Sequence, residues 1–178
     1  PESMVRALWA EIWLFRDANW SPDFPTSAQV AEGILRRDQG IVVDGVIAVD
    51  QRALQSLVGG LAPLDVESSD EPVSASNILT FVRQAWAEPQ EGVTRAKGWG
   101  EWVTQRKDFM SDLVDAMLRK VQEQPETVDL SQLARSLWQS LQERHILVYL
   151  HDEEAAALLA SQRWDGGIVT EAGDYLQV

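Results

Sequence analysis

Gly45-Val46-Ile47-Ala48-Val49 is apolar at every position and β-branched at Val46, Ile47 and Val49. Such a run is too short for an amphipathic helix and has no polar side to turn to water. It predicts the core of a strand spanning Val42 to Val49, central in a sheet and covered on both faces. The segments around it have helical period. Ala28, Ala31, Ile34 and Leu35 share one face of a helix that Thr26 can cap and Gly40 ends. On the other side, Asp50 is placed to cap a short helix through Leu57, closed by Gly59-Gly60.

The same reading extends along the chain. Val5, Leu8, Trp9, Ile12 and Trp13 predict an amphipathic helix over 3–13. Phe15 to Trp20 fits a short strand or its exit, and the prolines of Ser21-Pro22-Asp23-Phe24-Pro25 make a turn. Leu64 and Val66 suggest a further strand, and Ser74 or Ser76 opens a helix to about Trp86. With Pro89, Gly92 and Gly98, residues 88–98 read as a loop. A long helix follows from about Gly100 to Gln122, with Trp102, Phe109, Leu113, Met117 and Val121 on its apolar stripe. Asp129 and Gln132 resemble a capping box for a helix carrying Leu130, Leu133, Ala134, Leu137, Trp138 and Leu141. Ile146 to Leu150 is a second buried strand, and Asp152 caps a helix through Ala160. Gly166-Gly167 is a turn, with weak strands at Ile168-Val169 and Tyr175 to Val178. The chain is therefore expected to be one helix-rich α/β domain over 1–178, a central β-sheet flanked by helices.

Charge narrows the functions open to such a domain. The chain of 178 residues has 28 Asp and Glu against 15 Lys and Arg, a net −13. No stretch concentrates the cations, so the basic footprint of a nucleic-acid binder is missing, and an anionic membrane surface would repel the chain. With no cysteine, disulfides, thiol catalysis and thiolate metal sites are excluded. No apolar run approaches the length of a bilayer span. Because Pro1 falls in a helical segment and Val178 in a strand, the chain reads as a piece of a larger protein.

Two blocks carry a family resemblance: Arg16-Asp17-Ala18-Asn19-Trp20-Ser21-Pro22-Asp23-Phe24-Pro25 and Val43-Asp44-Gly45-Val46-Ile47-Ala48-Val49-Asp50. With Ser76-Asn77-Ile78, Lys107-Asp108-Phe109 and Glu143-Arg144-His145-Ile146-Leu147, they resemble an uncharacterised bacterial family, domain of unknown function 4012. The resemblance implies a membrane-anchored protein with a large extracytoplasmic domain, of which this chain is the later part, anchored through a segment outside this sequence. A more distant similarity is to the LytR-CpsA-Psr phosphotransferases, which move a glycopolymer from a polyprenyl-pyrophosphate carrier to the cell wall. It rests on Val43 to Val66 and on Arg106 to Val121. That family clusters arginines before its long helix, whereas this region has only Arg95, Lys97, Arg106 and Lys107.

The candidate site residues follow from these patterns. Arg16, Asp17, Asp23 and Arg106 are ligand-binding candidates, with Arg16, Asp17, Arg106 and Lys107 able to hold a phosphate if their elements meet. Solvated charge, or an exposed Arg–Asp pair of little worth, accounts for the same residues. The alternation of Asp17, Asn19, Ser21 and Asp23 departs from a calcium loop at Pro22 and Ala28, and fits an Asx-type turn better. Asp44 and Asp50 lie too far apart along one strand to serve one reacting atom. Of the eight tryptophans, Trp99 and Trp20 flank loops and are candidates for carbohydrate stacking, while Trp9, Trp13, Trp102 and Trp138 read as core. His145 and His151 stand at opposite ends of a strand, with no zinc spacing, and read as solvent-facing or capping side chains. No metal site and no cofactor is expected; magnesium belongs only to the phosphotransferase alternative. The expected role is a non-catalytic extracytoplasmic envelope domain. Its expected partners are the rest of the parent protein, a cell-wall glycan or a polyprenyl-linked glycan.

Overall fold

The structure is a computed structural model that describes residues 14–61, 63–86 and 95–169, with the backbone alone for 86 and 95–108. In chain order the elements are α1 (Phe24–Gln39), β1 (Gly45–Val49), α2 (Gln51–Leu61), α3 (Ile78–Trp86), α4 (Arg95–Glu123), α5 (Leu130–Gln142), β2 (Ile146–Leu150) and α6 (Glu153–Ser161). Short 3-10 turns cover Phe15–Trp20 and Pro125–Thr127. The helix-rich α/β character read from the sequence holds. The chain divides into two compact units, Pro1–Ala48 with Ile146–Val178, and Val49–His145.

In the first unit β1 and β2 form a two-stranded sheet. The His151 amide donates to the Asp44 carbonyl at 3.0 Å, setting the start of β1 against the end of β2 in antiparallel order. On the other edge of β2, the Val148 amide donates to the Trp164 carbonyl at 2.9 Å. The chain beyond Trp164 is tied to the start of α1. The Phe24 amide donates to the Gly166 carbonyl, and the Ile168 amide donates to Asp23 Oδ1 at 3.0 Å. Gly166 has φ 61°, and a Cβ there would lie 2.8 Å from Leu147 Cδ1 and 3.0 Å from the Phe24 Cβ, so this corner accepts only glycine. A small core of Ala18, Ala31 and Ile34 joins α1 to the 3-10 turn. The buried Glu32 carboxylate of α1 accepts a hydrogen bond from His151 Nε2, which lies 2.9 and 3.0 Å from its two oxygens.

The second unit is helical around Val58, Leu64, Val73, Ile78 and Leu113, each at most 1% exposed. Phe81 of α3 stacks on Phe109 of α4 with ring centroids 6.2 Å apart. The antiparallel pair α2 and α5 closes at Gly60, whose carbonyl accepts from the Asp129 amide at 3.2 Å.

Several expectations are corrected. The run 42–49 is not covered on both faces: Val42, Ile47 and Val49 are 70%, 64% and 47% exposed. Only two strands pair among the described residues, so β1 is not a central strand there. Phe15 to Trp20 is helical rather than extended, with the Leu14 amide donating to the Asp17 carboxylate. The cap of α1 is Asp23, not Thr26; Pro25 lies inside the first turn, where a missing amide costs nothing. The long helix begins at Arg95, inside the expected loop. Gly98 and Gly100 cost about 1 kcal/mol each, which a helix seated on Phe109 and Leu113 absorbs. Leu64 makes an isolated bridge to Val73 instead of a strand, and Ile168-Val169 is irregular. Trp138 is 57% exposed rather than core, because α5 turns Leu133, Ser136 and Ser140 inward. The predicted elements over 3–13 and 175–178, with Trp9 and Trp13, lie outside the described residues.

Candidate functional site

Asp50 leaves β1 and becomes the cap of α2. Its Oδ1 accepts from the amides of Arg52 and Ala53, both at 2.9 Å. That leaves Oδ2 for His145 Nδ1, 2.7 Å away. His145 is delivered by the end of α5. There the His145 amide donates to the Ser140 carbonyl and the Arg144 amide to the Leu141 carbonyl, a closure that places Arg144 at φ 60°. The Asp50 amide also donates to the His145 carbonyl at 3.0 Å, so main chain and side chain lock the pair together. Burial is the largest influence on the Asp50 carboxyl and pushes it up. The Ala53 amide, the His145 imidazole and the Arg52 amide together outweigh it and hold the group below the ordinary 3.8.

The other ring nitrogen of His145, Nε2, is 3.4 Å from Glu143 Oε2. Both residues line a cleft of about 270 Å³ between α2 and α5. From α2 come Arg52, Gln55 and Ser56; from α5 come Ser136, Gln139 and Ser140. Every lining side chain is polar. Position spacing explains it: 52, 55 and 56 share one face of α2, and 136, 139, 140 and 143 share one face of α5. Gln55 is held by a 2.7 Å bond from Nε2 to the Ala75 carbonyl, and Gln139 Nε2 donates to Glu143 Oε1 at 2.8 Å.

The residues singled out from the sequence lie elsewhere. In the first unit Arg16 is exposed and reaches its neighbour Asp17 at 3.7 Å, while Asp17 closes the 3-10 turn onto Leu14. Asp23 has both oxygens engaged, Oδ2 by the Thr26 amide and hydroxyl and Oδ1 by the Ile168 amide. The Thr26 hydroxyl is the largest influence and, with those amides, holds the Asp23 carboxyl below its ordinary value against the upward push of burial. Trp20 ends the 3-10 turn at 45% exposure. Arg106 and Trp99 are on α4 in the other unit, and their side chains lie outside the described residues. Among the described residues no three His, Asp or Glu side chains are grouped to hold a metal.

The sequence reads His145 and His151 as solvent-facing or capping, and their acidic partners escape it because neither is near: Asp50 precedes His145 by 95 residues and Glu32 precedes His151 by 119. The one available signal was the matched placement of an acidic cap after β1 and a histidine before β2, which an antiparallel pairing would juxtapose.

Residues 1–86 match the model of a family described as Protein of unknown function (DUF4012). That stretch, just under half of the chain, is similar to the DUF4012 family. It contains both blocks that carried the resemblance, Arg16 to Pro25 and Val43 to Asp50. It also includes the α2 wall of the cleft, while the α5 wall and His145 lie beyond the DUF4012 match. No curated protein and no solved structure matches the chain.

Proposed function

We propose that the chain is a non-catalytic contact domain of a bacterial envelope protein. It would lie outside the cytoplasm, anchored to the membrane through a segment outside this sequence. Its α5 surface would receive an amphipathic helix from the rest of the parent protein. The observation that supports this is the orientation of α5. The helix turns Ser136 and Ser140 inward, and presents Leu130, Leu137 and Trp138 to solvent at 62%, 44% and 57% exposure. Leu130, Ala134, Leu137 and Leu141 repeat at spacings of four, three and four, the seam against which a second helix packs. Exposed apolar stripes of this kind mark partner surfaces. Charge agrees with a helix from the same acidic protein. In a chain with 28 carboxylates α5 has none, and Arg135 is its one charged residue, so a negative partner helix meets no repulsion there.

A photo-reactive amino acid in place of Leu137, in cells making the whole protein, tests this. The expected adduct maps to a parent-protein segment with a three-four apolar repeat, and Trp138→Glu abolishes it. The domain is also expected to be cleaved by protease added outside the cytoplasm. Absence of that adduct, or protection from external protease, overturns the proposal. So does magnesium-dependent turnover of a polyprenyl-pyrophosphate-linked glycopolymer that Arg106→Ala eliminates, the result a LytR-CpsA-Psr-like phosphotransferase would give.

A further inference from the structure

We propose that the outer edge of β1 takes up an extended segment of another protein as an added antiparallel strand. That segment is apolar at alternate positions and carries lysine or arginine at its carboxyl end. The register of the sheet shows what the edge offers. The His151 amide donates to the Asp44 carbonyl and the Asp50 amide to the His145 carbonyl, each at 3.0 Å. Asp44 to Asp50 and His145 to His151 are equal steps along the two strands, so the pairing runs without a bulge. In this register Val46 and Ala48 aim their amides and carbonyls at β2, while Gly45 and Ile47 aim theirs away from it. The far edge of β2 is taken by Trp164, and among the described residues no strand pairs with the outer edge of β1.

Soluble proteins ordinarily blunt such an edge with lysine, proline or a bulge. Ile41 to Val49 has none of these, and its one charge is Asp44. The edge is also held ready. A Cβ on Gly45 would collide with the Tyr149 carbonyl oxygen, so the strands sit at close approach and little ordering remains for binding to supply. Ile47 is exposed, so an apolar side chain on the added strand would gain a cross-strand neighbour there. Main-chain bonds with pockets or neighbours for alternate side chains are how extended segments add to a sheet.

Charge decides the occupant. A second copy, paired two-fold about Ile47, would set Asp44 of each chain opposite Asp50 of the other, and opposed like charges destabilise a strand pair. The net −13 of the chain adds to that repulsion. A foreign strand running antiparallel brings its carboxyl end to the exposed Asp44, where a cation is favoured. This edge is distinct from the outward stripe of α5, so the two proposals stand or fall separately.

The test is an amide-resolved NMR titration of the whole chain with the blocked peptide TVTVTKK, its TVTVTEE counterpart and a fully N-methylated TVTVTKK. Saturable shifts and slowed hydrogen exchange are expected at Gly45 and Ile47 with TVTVTKK. Asp44→Asn should weaken that binding about threefold. Ile47→Pro removes an outward amide, which an edge strand tolerates, and should abolish binding. Ile47→Ser, a change at an exposed side chain that spares the fold, should weaken it about threefold. No saturable shift at Gly45 and Ile47, equal binding of the N-methylated or the glutamate peptide, or amides there already protected from exchange in the free chain would each overturn the proposal. So would dimerisation of the chain alone that protects the same amides.

Discussion

Arg144 and Arg163 occupy equivalent places, each one residue past a helix cap and each with positive φ, 60° and 58°. Both closures have the same pair of bonds: His145 to Ser140 and Arg144 to Leu141 after α5, Trp164 to Leu159 and Arg163 to Ala160 after α6. A side chain with a Cβ pays about 1–2 kcal/mol in this conformation, and glycine does not. Arg144→Gly should therefore raise stability by about 1 kcal/mol, read as a rise in melting temperature of roughly 2–4 °C. Arg163→Gly should act alike. The carboxyl of Asp23 gives a pH signature. Its folded value lies below 3.8, so its contribution is present above the unfolded value and is lost as pH falls through the folded one. Asp23→Asn should lower the urea midpoint at about pH 6, and the difference from wild type should vanish near about pH 2. A difference that persists in acid would mean that capping geometry, not charge, is what Asp23 supplies.

Glycines separate two kinds of helix. In α1, a Cβ at Gly33 would meet nothing within 4 Å, whereas in α2 one at Gly60 would meet the Leu133 amide nitrogen and Cα, both at 3.0 Å. Alanine is favoured over glycine in a free helix by about 1 kcal/mol. Gly33→Ala should stabilise by about that amount, while Gly60→Ala should destabilise by about 1–3 kcal/mol through overpacking. Denaturation of the two variants side by side checks the pair of signs. The close approach at Gly60 also explains the orientation of α5. The register that lets Leu133 meet a bare glycine backbone turns Ser136 and Ser140 inward in the following turns, and leaves Leu137 and Trp138 outside.

For the molecule as a whole, the distribution of apolar residues matters more than their number. Leu113 is fully buried and Leu137 is 44% exposed, although both sit on apolar stripes of amphipathic helices. Leu113→Ala should cost about 2–5 kcal/mol, while Leu137→Ser should stay within about 0.5 kcal/mol; chemical denaturation of this chain discriminates. Helix capping was legible in the sequence at Asp50, Asp129 and Asp152, whose side chains accept from Ala53, Gln132 and Ala155. The helices after those caps, and the strand positions at 45–49 and 146–150, followed from patterns within a few residues. The alternating turn read over 17–23 became a 3-10 helix and a cap, because Asp23 answers to Ile168 as well as to Thr26. By itself the sequence determined where helices start and where strands lie, since a cap or a hydrophobic period acts within one turn. Only the tertiary structure decided that Asp50 meets His145, that Glu32 meets His151, and which face of α5 looks outward. Those outcomes depend on backbone approach between segments roughly a hundred residues apart, and no local pattern encodes that distance.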